Sequence, residues 1–352
     1  MAVLAGLLVL LFWRFSQSPD WKQFSWRQVW LLLVHASPEW LGAAVVATYS
    51  SYLIRAYRWK FFLDPLKPAS LQVLFTGQIF GFSAVYLIGR PGELVRPAYI
   101  ARWENVPFVS QLAILVLERM YDVIALALFF ALALYEEPMP SGGRQAARTL
   151  HRMHEGSMIV LLAMAGLVAA LVIYRFRSEP IVHWAGARLR FLPFKVHRAL
   201  GNMARSFAEG LDVIQNWKDL AASVICTAVL WVVNIGVYFF VFRSLGGVLA
   251  RLSWWTTIVV AFSASFGLVV QLPGIGGGFQ FAILGVLKQL FHVPPTQATS
   301  AALLQWIVLF VPCVALAVAL LVYGGLSFRS LRAMAEAEHA AIPNKGARQG
   351  PI

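Results

Sequence analysis

Long stretches of this chain contain no charged residue. Such runs lack Asp, Glu, Lys and Arg and cover residues 40–54, 68–89, 105–117, 123–135, 156–174, 220–242, 252–287 and 289–328. An α-helix needs about 20 apolar residues to cross the hydrocarbon core of a membrane. The pattern therefore predicts an all-α polytopic membrane protein with about eight hydrophobic segments, in which residues 1–352 form a single integral membrane domain.

Two of these runs are interrupted by proline and glycine. The run 68–89 ends at Gly89 and is followed by Arg90, Pro91, Gly92 and Glu93, and the run 252–287 contains Pro273, Gly274, Gly276, Gly277 and Gly278. Proline removes a backbone donor, and glycine makes continuation of a helix costly. We therefore predict two re-entrant hairpins, at about 70–103 and 253–295, among six full spans. Broken backbone at membrane depth must be buried in protein or line a wet cavity.

The predicted segments contain a possible internal symmetry. Residues 41–135 and 220–326 would each form a span, a hairpin and a second span, and the two halves would run in opposite senses. Inverted repeats with broken helices are common in transporters, where the ligand site lies at the repeat interface. The alternative is a bundle of eight ordinary helices with proline kinks.

Composition and charge agree with this class. Hydrophobic residues make up 59% of the chain and charged residues 13%, against about 25% charged in a typical soluble domain, so a soluble or disordered protein is excluded. The net charge of +13 does not indicate a nucleic-acid partner, because the basic residues gather in loops and no nucleic-acid-binding motif accompanies them. Their distribution predicts a multi-pass protein of the inner (cytoplasmic) cell membrane with both termini cytoplasmic.

Three further features complete the organisation. Residues 176–218 carry apolar positions at helical spacing with basic residues between them, which predicts an amphipathic connector that either contacts anionic headgroups or packs on the bundle. Residues 329–352 are expected to form a flexible tail. Cys226 and Cys313 lie in apolar runs, so neither a disulfide nor a thiolate metal site is indicated, and we expect no metal and no cofactor.

The first candidate site is the element that follows Gly89. Pro91 fits the first turn of a helix, Glu93 lies near its positive end, and Arg90 and Arg96 flank it. Backbone N–H groups beside two guanidinium groups can hold a phosphate. The alternative is a salt bridge between Glu93 and one arginine that only fixes the loop.

The second candidate site lies inside the span 107–135. Glu118 and Asp122 are four residues apart and share a helix face, and Arg119 can pair with Asp122. Charged residues inside apolar runs are costly and are functional candidates for that reason. The cluster is interpreted as a partner for Arg90 or Arg96, as a proton-linked gate, or as a structural ion network that fixes the helix register.

The third candidate site is the glycine-rich break at 273–280. Its glycines let backbone approach a ligand, and Gln280 can add a hydrogen bond. The spacing is not a nucleotide fingerprint, since an all-helical chain has no βαβ unit. No residue stands out as a catalytic nucleophile, so no catalytic residue is assigned.

With these motifs, the chain resembles the lysylphosphatidylglycerol synthase transmembrane-region family of flippase-like membrane proteins, from about residue 40 to 326. The marks of the resemblance are Arg55 with Arg58-Trp59, the Arg90-x-Gly92-Glu93-x-x-Arg96 element, the Glu118-Arg119-x-x-Asp122 element and the late Pro-Gly turn. Two departures matter. No cytosolic synthase domain is expected after residue 328, so aminoacyl transfer is not expected, and Gln280 stands where many relatives have Glu.

The resemblance implies a lipid translocase that moves a phospholipid or a lipid-linked precursor between leaflets. The expected headgroup-binding residues are Arg90, Gly92, Glu93, Arg96 and Arg119, and the expected polar gate or network is Glu118, Asp122 and Gln280. The alternatives are a membrane-embedded lipid-modifying enzyme and a non-catalytic scaffold. A homo-oligomer or a separate lipid-modifying enzyme is a possible partner.

Overall fold

The computed structural model describes residues 24–136, 217–268, 271–272, 274 and 276–323, together with scattered positions between 155 and 208. The apolar N-terminal residues, most of the connector 176–218 and the tail 329–352 lie outside the described residues, as does Pro273. The α-helices within the described ranges are α1 (Trp26–Val34), α2 (Pro38–Leu63), α3 (Leu71–Ile88), α4 (Val95–Trp103), α5 (Phe108–Glu136), α6 (Trp217–Leu245), α7 (Trp254–Gly267), α8 (Gly278–Gln289) and α9 (Pro295–Tyr323).

Several of these helices are long enough to cross a membrane. By length and composition α3, α6 and α9 qualify, and α1 with α2 form a fourth candidate span that is bent by 80°. Helix α5 is 29 residues long but carries charged residues in its interior. The helical membrane architecture is thus confirmed, whereas six full spans and the inverted repeat stay predictions.

The first predicted hairpin is present as a chain reversal. A 3-10 turn, Arg90–Leu94, joins α3 to α4, and α4 returns along α3. The two helices lie so close that a Cβ built on Gly81 would be 2.6 Å from the Cβ of Arg96, and one on Gly92 would overlap the backbone of Ala84. Glycine at these two positions permits the close approach that places α4 against α3.

The second break forms a hairpin of the same kind, with one departure from a purely helical fold. Helices α7 and α8 pack together where a Cβ on Gly267 would overlap the carbonyl of Gly278. Between them, β1 (Gln271–Leu272) pairs in antiparallel register with β2 (Gly276–Gly277). The turn residue Gly274 has a φ of 72°, a conformation that glycine adopts without strain.

The two breaks touch each other. The backbone N–H of Gly274 donates to the carbonyl of Tyr86 at 2.8 Å, close to the end of α3. The core continues around this contact: α2 lies along α6, and Phe130 of α5 stacks on Phe262 of α7 with ring centroids 3.8 Å apart. The fold therefore brings the two breaks together, with Gly89 and Gly92 buried and Arg90, Pro91 and Gly274 exposed.

Candidate functional site

Six charged side chains from three helices meet inside the bundle, and we refer to them as the ionic cluster. They are Arg55 and Arg58 of α2, Arg96 of α4, and Glu118, Arg119 and Asp122 of α5. All except Arg119 are buried. Residues three or four positions apart share one face of a helix, so α2 and α5 present their opposite charges to each other. Buried charges are tolerated when they are paired in this way.

Glu118 is the hub of the ionic cluster. Its carboxylate contacts Arg58 at 2.6 Å, Arg119 at 3.5 Å and Arg55 at 3.6 Å, and it also pairs with Arg96. The residue is 1% exposed. Four cations thus share one buried carboxylate.

Asp122 binds three of these four cations, Arg55, Arg58 and Arg119, one helical turn later. Arg58 Nη1 donates to Asp122 Oδ1 at 2.6 Å, and Arg55 Nη1 donates to Oδ2 at 3.2 Å. Arg58 Nη1 also donates to Thr227 Oγ1 of α6 at 3.0 Å. Arg58 therefore joins α2, α5 and α6, and the cluster ties the first half of the fold to the second.

Arg96 is held on three sides. Its Nη1 donates to Gln78 Oε1 at 2.5 Å, it pairs with Glu118, and its guanidinium carbon lies 4.2 Å from the centroid of the Trp59 ring. The Trp59 indole N–H in turn donates to Gln111 Oε1 at 3.1 Å. A cation on an aromatic face in a dry site is stabilised by the ring quadrupole. These contacts fix the orientation of the guanidinium plane.

The ionic cluster carries more positive than negative charge. It contains four arginines and two carboxylates, so two guanidinium charges are not balanced within it. Arg119 is the most exposed member, with 42% of its side chain accessible. Its Nε is buried, and no atom of the described residues accepts a hydrogen bond from it. The excess charge favours an anion at the exposed side of Arg119.

A cavity of about 90 Å³ opens at that side of the cluster. Its wall consists of residues from α3, the 3-10 turn, α4, α5 and the end of α7, namely Gln78, Gly81, Phe82, Val85, Tyr86, Arg90, Glu93, Arg96, Leu115, Arg119 and Leu268. Arg90 and Glu93 form an ion pair with 44% and 27% of their side chains exposed. The cavity therefore has charged and apolar walls. The first break borders it through Arg90 and Glu93, and Leu268 at the end of α7 closes it on the side of the second half. Its volume is sufficient for several water molecules.

The structure brings most of the predicted site residues together. Arg90, Glu93, Arg96 and Arg119 line the cavity, and Glu118 and Asp122 lie behind them in the ionic cluster. Their roles in headgroup binding and gating stay predictions.

Two other predicted site residues occupy structural positions. Gly92 packs against the backbone of α3 at Ala84 and is not part of the cavity wall. Gln280 accepts a hydrogen bond from the Gly277 N–H at 2.7 Å and so closes the start of α8, while Gly274, Gly276, Gly277 and Gly278 form the break itself.

Sequence reasoning missed part of the site. In the sequence Arg55 and Arg58 are marks of the family resemblance only, because Arg55 stands where the uncharged run 40–54 ends and Arg58 follows three residues later. The apolar residues that follow Arg58 were the available indication that the helix continues past both arginines, and α2 does extend to Leu63. Gln78 and Thr227 carried no such indication, since their partners come from distant parts of the chain. Within the described residues, no group of three or more His, Cys, Asp or Glu is placed to hold a metal ion.

Comparison with known proteins places this site in a family. The chain is similar to the UPF0104 membrane protein PH1989 of Pyrococcus horikoshii, with 23% identity over 307 residues, covering 79% of this chain and 85% of that protein. The family model for the lysylphosphatidylglycerol synthase TM region matches residues 1–317. The match includes both helix breaks and the whole ionic cluster, and the chain therefore belongs to the lysylphosphatidylglycerol synthase transmembrane-region family.

Proposed function

We propose that this protein is a lipid translocase that moves a phospholipid or a lipid-linked precursor between the leaflets of the inner membrane. One observation carries the proposal: a cavity at the first helix break is lined by Arg90, Arg96 and Arg119 and adjoins a cluster with excess positive charge. The proposed ligand of this cavity is the phosphate that phospholipids and lipid-linked precursors have in common.

The physical task of a translocase is to replace the water around a headgroup. A lipid crosses slowly on its own because an uncompensated charge in hydrocarbon costs several kcal/mol. At an effective dielectric constant of about 20, a phosphate charge 4 Å from one guanidinium gains roughly 4 kcal/mol. Two unbalanced guanidinium charges can therefore offset much of the lost hydration, while the acyl chains stay in the lipid phase.

In this proposal the carboxylates set the strength of the site. Glu118 and Asp122 hold the arginines apart from one another and absorb half of their charge. A site with four unpaired cations would bind phosphate too tightly to release it, whereas a fully neutralised site would not bind it. The second break lies next to this cavity, because the Gly274 N–H donates to the carbonyl of Tyr86, which lines it.

The proposed topology places both hairpins as re-entrant elements and both termini in the cytoplasm. Single cysteines introduced at Arg144 and Arg190 test it by labelling with a membrane-impermeant maleimide. The proposal expects the two cysteines to react from opposite sides of the membrane. Labelling of both from one side contradicts the topology and the inverted repeat that depends on it.

Leaflet exchange in proteoliposomes tests the function. We expect wild-type protein to accelerate exchange of fluorescent phospholipids above the rate of protein-free vesicles, and Arg119→Gln to slow it at least tenfold, because about 1.4 kcal/mol of lost stabilisation is a factor of ten. Arg251→Gln is the matched control, since Arg251 is exposed in a turn outside the cavity. Wild-type rates equal to those of empty vesicles for every lipid, with folded protein, contradict the proposal.

A further inference from the structure

The second half of the fold contains a buried amide that corresponds in position to the hub of the ionic cluster. Helices α5 and α9 are both 29 residues long. Glu118 is the eleventh residue of α5, and Gln305 is the eleventh residue of α9. Both side chains are buried, at 1% and 0% exposure.

The correspondence extends to the loops that precede the two helices. Asn105 and His292 each lie three residues before the helix, and both have a φ of 53°. They are the only non-glycine residues with positive φ in the described part of the chain. Because residues other than glycine rarely adopt this conformation, its repetition at one register position supports an alignment of the two helices.

At the same register two of the three acidic residues of the site, Glu93 and Glu118, become amides, and Asp122 corresponds to Leu309. Glu93 and Gln280 lie the same distance before Glu118 and Gln305, respectively. The three cavity arginines correspond at this spacing to Gly277, Ile283 and Trp306. The second half thus keeps two polar positions of the site as uncharged amides and has no charge at any of the corresponding positions.

The side-chain amide of Gln305 makes no hydrogen bond within the described part of the chain. Neither its Nε2 nor its Oε1 has a hydrogen-bond partner among the described residues, although both atoms are buried. An unpaired buried amide destabilises the folded state, and an apolar residue of similar shape would remove that cost. A ligand that pairs with the amide accounts for a glutamine at this position.

The residue that follows Gln305 contacts the wall of the cavity that Arg90, Arg96 and Arg119 line. The next residue, Trp306, packs edge-on against Tyr86 with ring centroids 5.3 Å apart and lies 6.1 Å from Phe279. Tyr86 also lines the cationic cavity. Two aromatic residues in contact, Tyr86 and Trp306, therefore connect the cavity wall to the turn of α9 that carries Gln305.

We propose that Gln305 is the second-half counterpart of Glu118 and that its carboxamide determines specificity by hydrogen-bonding an uncharged polar group of the transported lipid. Since no cation occupies the equivalent positions, the group is a hydroxyl or an ester carbonyl and not the phosphate. This inference rests on the proposed translocase function. One lipid is then recognised at two places, its phosphate by the arginines of the cavity and an uncharged polar group by Gln305.

The test compares Gln305→Leu with wild type in leaflet exchange and in thermal unfolding. We expect Gln305→Leu to slow exchange at least tenfold while its melting temperature equals or exceeds that of wild type. Gln111→Leu is the matched control for stability, because Gln111 is equally buried but accepts from the Trp59 N–H, and we expect its melting temperature to fall. A glutamine that is only structural would lose stability on substitution and leave exchange unchanged.

Three lipids identify the group that Gln305 binds: diester phosphatidylglycerol, its diether analogue and diester phosphatidylethanolamine. Loss of the Gln305→Leu effect with the diether lipid assigns the ester carbonyl, and its loss with phosphatidylethanolamine assigns the headgroup hydroxyl. If wild-type protein exchanges all three lipids and Gln305→Leu exchanges them equally fast, this inference is overturned and the proposed translocase function is not. A fall in melting temperature as large as that of Gln111→Leu overturns it as well, and inactive wild-type protein overturns it together with the proposed function.

Discussion

Substitution of Glu118 by glutamine perturbs the ionic cluster at its most connected point. The change removes one negative charge and keeps the size and shape of the side chain. All four arginines of the cluster approach this carboxylate within 4 Å or less, and the residue is 1% exposed. After substitution Asp122 is the remaining carboxylate for four guanidinium groups, so the excess positive charge grows from two to three.

Glu118→Gln replaces few atoms, yet we expect a large loss of folding stability. Removing one partner of a buried ion pair costs about 3–5 kcal/mol, because the other charge is left uncompensated. A native protein has only about 5–15 kcal/mol of stability in total. Glu118→Gln should therefore lower the melting temperature in detergent steeply and leave little folded protein at moderate temperature.

Glu93→Gln is the matched control for this experiment. It makes the same chemical change in the Arg90–Glu93 pair, whose side chains are 44% and 27% exposed. Exposed pairs contribute about 0–1 kcal/mol, so we expect nearly unchanged melting. Thermal unfolding of both variants by tryptophan fluorescence gives the comparison. Equal and small shifts for the two variants would show that the buried cluster does not stabilise the fold, and the reasoning would be refuted.

Three other substitutions test separate parts of the structure by thermal unfolding. Gly92→Ala places a methyl group against the backbone of α3 and should lower the free energy of unfolding by about 1–3 kcal/mol. Gly42→Ala, with open space around it, should raise the free energy of unfolding by about 0.5–1 kcal/mol. Equal shifts for the two variants would contradict the packing of α4 on α3. Asp122→Asn should destabilise less than Glu118→Gln, since fewer arginines contact it, and the reverse order would contradict the hub position of Glu118. Gly274→Ala should lose about 1 kcal/mol through its φ of 72°, and unchanged melting would contradict that turn.

The sequence was sufficient to find the two helix breaks and the charges between them. Pro91 and the glycines near Gly276 act on their own backbone, so their effect is readable without knowledge of the fold. Glu118 and Asp122 share a helix face by spacing alone. Local rules therefore located the breaks and one wall of the site.

The remaining features depend on contacts between distant segments. The pairing of Arg58 with Thr227 joins residues of two different halves, and no local pattern indicates it. The headgroup-binding role of Gly92 stays a prediction, and its close packing on the backbone of Ala84 depends on how the turn after α3 folds back, which no local pattern indicates. The number of full spans also depends on how α1 and α2 lie relative to the membrane, and their bend of 80° cannot be read from hydropathy.

The central claim is that the cavity beside Arg96 and Arg119 holds the phosphate of a lipid. Photocrosslinking tests it most directly, with one phospholipid that carries a diazirine next to its phosphate and another that carries it at the end of an acyl chain. We expect the phosphate probe to label cavity-wall residues such as Val85, Leu115 or Leu268. We expect Arg119→Gln to reduce this labelling and the chain-end probe not to reach these residues. Phosphate-probe adducts confined to the lipid-exposed surface, in the same positions as those of the chain-end probe, would show that the cavity does not hold the phosphate.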